Sequence, residues 1–177
     1  YEKARKKSEK NPYEDLAIAE LEGHTVGKDE EKTDSVTIIK KLGKDDAIYG
    51  LGDKPGCLNK RGYSYVNWNT DDPAPHVDSF KSLYKSIPFF IVLGDEYCYG
   101  IFADNTYKTT FDFGYENTDY YFVEHEKGEL DYYFMPGNDM AEVVGLYTSL
   151  TGTTPLYQRW IYGSHQSRWG YYTPDEV

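Results

Sequence analysis

The sequence predicts a mainly β protein, an antiparallel β-sandwich with one connecting helix, followed by the opening strand of a β/α unit. Three observations predict it. Short apolar or alternating runs recur at close spacing over residues 35–137, with turn residues between them. A three-to-four apolar period fits one clear stretch, residues 140–150. Beyond Gly152 and Pro155 a further apolar run at 160–164 leads toward a helix-start signal at Thr173.

Taken in order, residues 1–34 are polar and charged, with a helix-compatible patch at 13–21, and no domain is assigned to them. From Ser35 the pattern is β: Ser35-Val36-Thr37-Ile38-Ile39-Lys40-Lys41-Leu42 reads as a strand and 43–46 as a turn. Residues 49–56 hold three Gly and one Pro, which predicts a tight loop, and loop character continues over 59–79. Residues 87–93 and 98–103, joined by Gly94-Asp95-Glu96, predict a hairpin. In 108–113, Thr109, Phe111 and Phe113 share one face. A second hairpin is expected from 119–123 and 130–135 around Glu126-Lys127-Gly128-Glu129. Asn138 or Asp139 can cap a helix over 140–150, with Val143, Val144, Tyr147 and Leu150 at helical spacing. Thr173-Pro174-Asp175-Glu176 carries an N-cap Thr, Pro at the first helical position and acids in the first turn. The chain stops as that helix begins and starts without Met, which reads as a truncated piece of a longer protein.

Composition narrows the function. Nineteen Lys and Arg stand against 30 Asp and Glu, a net charge of −11. A nucleic-acid partner calls for a basic stripe that displaces counterions, so that class is excluded. Aromatic residues make up 17% of the chain and 19 of them are Tyr, which argues against disorder. Tyr suits half-wet strands; it also suits sugar or protein recognition, since a ring packs on C–H faces while its hydroxyl bonds outward. Cys57 and Cys98 allow one bridge but make no disulfide framework. No run reaches bilayer length, and no apolar segment follows the basic start, so neither a membrane partner nor a secretory leader is expected and a cytoplasmic location follows.

Self-contained catalysis finds little support. Asp45-Asp46, Asp71-Asp72 and Asp95-Glu96 are sequence neighbours, which point to opposite faces of a strand. His24, His76, His125 and His165 lie far apart, so no metal site is expected. Gly163-Ser164-His165 lacks the second glycine of a nucleophile elbow, and Gly50-Leu51-Gly52 with Gly56 has the wrong spacing for a dinucleotide. No cofactor is expected. Binding is better supported: Tyr63, Tyr65, Trp68, Asn69, Thr70 and Asp71 fall within ten residues. Rings beside amide and carboxylate groups suit a sugar, because one carboxylate can accept from two vicinal hydroxyls. The same loop is equally compatible with one pinned by its own Trp and Asx turns.

Six motifs in order carry a resemblance. They are Ile48-Tyr49-Gly50-Leu51-Gly52-Asp53-Lys54, Leu58-Asn59-Lys60-Arg61-Gly62, Trp68-Asn69-Thr70-Asp71, Leu83-Tyr84-Lys85-Ser86-Ile87-Pro88-Phe89, Tyr99-Gly100-Ile101-Phe102 with Asp104-Asn105, and Gln166-Ser167-Arg168-Trp169. Together they resemble glycoside hydrolase family 31, the α-glucosidases and α-xylosidases, over about residues 36–177. The resemblance implies a galactose-mutarotase-like sandwich over 35–137, incomplete because residues 1–34 match none of the family's further strands, then a connecting helix and linker over 138–155 and the truncated start of a (β/α)8 catalytic barrel over 156–177. It implies that Asp71 reaches a sugar from a sandwich loop over the barrel mouth, and that Arg168 and Trp169, after the first barrel strand, also contact substrate. It implies hydrolysis of α-linked glucosides of oligosaccharides with retention, by an Asp nucleophile and an Asp acid/base on later barrel strands. Neither catalytic acid is expected in this chain, whose partner would be the remainder of the barrel. A free-standing carbohydrate-binding sandwich is the alternative, and a sandwich that only braces a neighbouring domain is a third possibility.

Overall fold

A computed structural model of the chain describes residues 35–72, 75–165 and 173–176. Among these residues eight strands form two four-stranded antiparallel sheets. They are β1 (Val36–Lys41), β2 (Ala47–Gly50), β3 (Ser64–Asn67), β4 (Phe89–Leu93), β5 (Cys98–Ala103), β6 (Thr109–Asp112), β7 (Tyr120–His125) and β8 (Tyr132–Gly137). One sheet runs β1-β7-β6-β3 and the other β2-β4-β5-β8. The expected sandwich is present.

Alternation along each strand builds the core between the sheets. Ile38, Ile48, Tyr65, Phe90, Val92, Tyr99, Ile101, Phe111, Phe113, Tyr121 and Val123 converge there. Phe90 lies at its centre, 4.9 Å from Phe113 and edge-on to Tyr121 at 5.5 Å. Much of the Tyr excess is therefore core: Tyr65, Tyr99 and Tyr121 are fully buried. Their hydroxyls are satisfied, Tyr65 donating to the Pro55 carbonyl at 2.7 Å and the Tyr99 and Tyr121 hydroxyls hydrogen-bonding to each other at 3.3 Å.

The outer face of the second sheet is covered by α1 (Met140–Thr151). Asp139 supplies the cap, its Oδ1 accepting from the Glu142 amide at 2.8 Å, while Glu142 reaches back to the Asn138 amide at 2.9 Å. Val143 is fully buried and Tyr147 stacks on Phe89 at 4.0 Å. Close approach depends on Gly100, where a Cβ would stand 2.7 Å from both Phe89 and Val143. Val144 and Leu150, on the same predicted stripe, remain exposed.

Several local expectations are corrected. The hairpin of 119–123 with 130–135 does not form: β7 pairs with β1 and β6, whereas β8 pairs with β5 in the other sheet. Both edges of β7 are already occupied, so β8 has nowhere to join it. The turn between them is a crossover, tied down by Asn105, whose amide donates to the Lys127 and Glu129 carbonyls. Next, both loop regions contain a strand. Residues 47–50 pair with β4, and 64–67 pair with β6. Gly50 ends β2 at φ 135°, where a Cβ would meet the Phe89 carbonyl at 2.5 Å, so the glycine marks close pairing as well as a bend. Finally, 160–164 is not a strand but ends a 3-10 turn, Arg159–Tyr162. Among the described residues no strand pairs with it, so local bonds take over, Ile161 N–H to Gln158 and Gly163 N–H to Trp160. At Thr173 the expected N-cap bond, from a helix amide to the Thr hydroxyl, is not found among the described residues; Glu176 instead accepts from both the Thr173 amide and its hydroxyl at 2.8 Å, and the Glu176 amide donates to the Thr173 carbonyl. Pro174–Glu176 continues as a 3-10 turn.

Candidate functional site

The aromatic loop continues the edge strand β3 as an extended strap over residues 68–72. Because β6 uses one edge of β3, the other edge is free to bind residues 81–83, which return alongside it. Val66 N–H donates to the Lys81 carbonyl at 2.8 Å and Thr70 N–H to the Leu83 carbonyl at 3.0 Å. Hydroxyls complete the ladder. Ser82 Oγ lies 2.6 Å from the Trp68 carbonyl and 2.9 Å from that of Val66, so its proton can go to either. Thr70 Oγ1 donates to the Ser82 carbonyl, Ser86 Oγ to Asn69 Oδ1 at 2.6 Å, and Tyr84 OH to the Asp72 carbonyl at 2.8 Å. Leu83, 4% exposed, anchors the return segment in the body.

The root of the strap is held by buried cations. Lys54 Nζ donates to the Val66 carbonyl at 3.0 Å. Lys60 Nζ donates to the Lys54 and Pro55 carbonyls and lies 5.4 Å from the Tyr65 ring centre. Burial pushes the Lys54 amine down to about 8, with Asp53 pulling the other way, and burial lowers Lys60 as well. The same loss of solvent raises the Tyr65 hydroxyl. These lysines spend their protons on loop carbonyls and brace the turn between β2 and β3.

What the strap leaves free is informative. Asp71 is exposed, and among the described residues its carboxylate has no hydrogen bond or ion pair. Trp68 is 56% exposed and Tyr84 43% exposed. His76 lies 3.1 Å from the Asp72 carbonyl and approaches the rings of Tyr84 and Phe80 at 5.7 and 5.8 Å. The strap and its return segment thus carry an exposed carboxyl group and flat rings, side-chain types that can serve a sugar ligand. Arg168 and Trp169, expected to share the site with Asp71, lie outside the described residues.

Sequence reasoning missed Lys54, Ser82, Tyr84 and Ser86 as parts of this region. Residues 79–86 carry no periodicity, and their role comes from side chain-to-backbone bonds, which leave no pattern. Among the described residues, no group of three His, Cys, Asp or Glu is placed to hold a metal. Both cysteines are free, Cys57 exposed and Cys98 buried beneath α1, so the possible bridge is not made.

A family profile, the glycosyl hydrolase 31 N-terminal galactose mutarotase-like domain, matches residues 1–112. The chain belongs to glycoside hydrolase family 31. The match takes in residues 1–34, which the six motifs do not reach. Alpha-glucosidase 2 of Bacillus thermoamyloliquefaciens is 45% identical over 142 residues, 80% of this chain and 18% of that protein. The alpha-xylosidase XylQ of Lactiplantibacillus pentosus is 34% identical over 122 residues, 69% of this chain and 15% of that one. Among solved structures, the Flavobacterium johnsoniae GH31 dextranase complexed with glucose matches at 45% identity and a TM-score of 0.59. That match covers 65% of this chain and 14% of the dextranase. The cycloalternan-degrading enzyme from Trueperella pyogenes, 18% identical, shares the fold at a TM-score of 0.64 over 73% of the chain. The family 31 chain described here therefore spans a small part of its relatives' length.

Proposed function

We propose that this chain is the sandwich portion of a retaining α-glycosidase of the α-glucosidase type, hydrolysing α-linked glucosides of oligosaccharides. In this proposal Asp71 positions the sugar, residues 156–177 begin the catalytic barrel, and Arg168 and Trp169 contribute further substrate contacts. The two catalytic carboxylates come from the remainder of that barrel, so this chain alone is inactive. The observation that carries the reading is Asp71 itself, an exposed carboxylate without a partner among the described residues, on a strap whose backbone is bonded on both sides of it. A free acid on a fixed backbone can accept from two hydroxyls of one ring without first losing other partners.

Among the described residues no helix is long and apolar enough to cross a membrane. The proposal sets the parent enzyme in the cytoplasm, a compartment suited to two free thiols. The test uses the polypeptide encoded in frame with these residues. It should release glucose from maltose or isomaltose, and Asp71→Ala should lower kcat/KM roughly ten- to a hundredfold, the scale of a lost hydrogen bond to a charged group. The variant should keep its thermal unfolding midpoint. Unchanged kinetics would remove Asp71 from the site.

A further inference from the structure

Asp71 lies between two residues that the return segment grips. On one side the Thr70 amide donates to the Leu83 carbonyl at 3.0 Å, and on the other the Asp72 carbonyl accepts from Tyr84 OH at 2.8 Å. The two grips come from adjacent residues, one of them buried in the body of the domain. The first is a main-chain bond that any residue at position 83 can offer. The second comes from a side-chain hydroxyl, with His76 Nε2 beside it at 3.1 Å from the same carbonyl.

We propose that Tyr84 is a positioning residue for Asp71: by holding the Asp72 carbonyl it fixes the backbone on the C-terminal side of Asp71 and presents that carboxylate to sugar hydroxyls in one orientation. The inference rests on Asp71 being a substrate contact. Its physical basis is preorganisation, in which the strap is ordered when the domain folds and the cost is not met again when substrate arrives. His76 Nε2 stands 3.1 Å from the same carbonyl. That oxygen has two lone pairs, so it accepts from both groups when His76 carries its proton on Nε2. The Tyr84 ring faces His76, at 5.7 Å, while its hydroxyl faces Asp72. Tyr84→Phe therefore keeps the ring and its contact with His76, and removes only the hydroxyl's share of the grip.

The experiment compares Tyr84→Phe, Asp71→Ala and the double variant in the in-frame polypeptide, with isomaltose as substrate. Tyr84→Phe should raise KM roughly three- to tenfold, the scale of one lost hydrogen bond, with kcat changed much less. In the Asp71→Ala background the same change should add nothing, since Tyr84 acts through Asp71. Hydrogen exchange of a peptide spanning 68–72 should speed up in Tyr84→Phe, while one spanning 89–93 should not. An unchanged KM, or an equal loss in both backgrounds, overturns the proposal. Wild-type kinetics in Asp71→Ala would overturn the substrate-contact reading instead. In that case the exchange data still decide the grip, faster exchange of the strap supporting it and unchanged exchange overturning it.

Discussion

Between the sheets, Phe90 is enclosed by Phe113, Tyr121 and Phe111, and every large neighbour is itself buried. On the strap, Trp68, Asn69, Thr70 and Asp71 are all exposed, and what fixes them is a set of hydrogen bonds, donated by Ser82 and Ser86 and accepted by the Leu83 carbonyl, plus the buried side chain of Leu83. The first region is held by apolar area, non-directional and large; the second by directional bonds worth about 0.5–1.5 kcal/mol each. The difference explains how one domain can be rigid and still offer free side chains. Packing uses up the side chains that do it, whereas bonds to the main chain leave the side chains beyond them available.

The sharpest way to break that contrast is to cut each region at its anchor. Phe90→Ala should cost about 3–5 kcal/mol, because the removed ring leaves a cavity that the two sheets cannot close. The whole domain should feel it, as a lower midpoint in both thermal and urea unfolding. Leu83→Ala should cost less, about 2–3 kcal/mol, and mainly as local opening of the strap. Native-state hydrogen exchange separates the two outcomes. If Leu83→Ala lowers the global midpoint as far as Phe90→Ala does, the strap is part of the core and the contrast fails.

The same contrast sets what the sequence could reveal. The short apolar runs at β4 and β5 were legible because both faces of that sheet are buried, and the alternation at β6 because one face of a strand repeats every second residue. The cap at Asp139 and the buried Val143 were legible because a helix end has few chemical solutions. Pairing was less so, for it depends on which edges other strands have already taken. The turn at 126–129 looks like a hairpin until β1 and β6 are both placed beside β7. β3 was hidden because four residues in a polar stretch, Ser64 to Asn67, form a strand only through β6 and the return segment. At the candidate site, Asp71 came from a motif, not from periodicity. Lys54 and Tyr84 sit in quoted motifs too, but their partners are main-chain carbonyls at Val66 and Asp72, and a carbonyl has no sequence signature.

The smallest effect tests whether the core side of the contrast tolerates charge. His125 on β7 is fully buried, and its Nδ1 pairs with Thr109 Oγ1 at 2.8 Å across the β6–β7 ladder. Among the described residues its Nε2 has no partner, and burial lowers its pKa below the ordinary 6.5. Above pH 6.5 the imidazole is neutral in both folded and unfolded chains, so pH has no leverage through it. Below 6.5 the unfolded chain takes up a proton that the folded one resists. Stability therefore falls as pH drops from 6.5 toward the lowered folded value, and it levels off once both states are protonated. Carboxylates titrate nearby in pH, so the slope must be compared with that of His125→Gln, which keeps a polar side chain but cannot ionise. The midpoint of the wild-type chain should drop more steeply between pH 6.5 and 5 than that of the variant. Parallel slopes would mean that water or a rearranged neighbour reaches Nε2 and that this end of the sandwich is wetter than its burial implies, closer in character to the strap than to the ring cluster around Phe90.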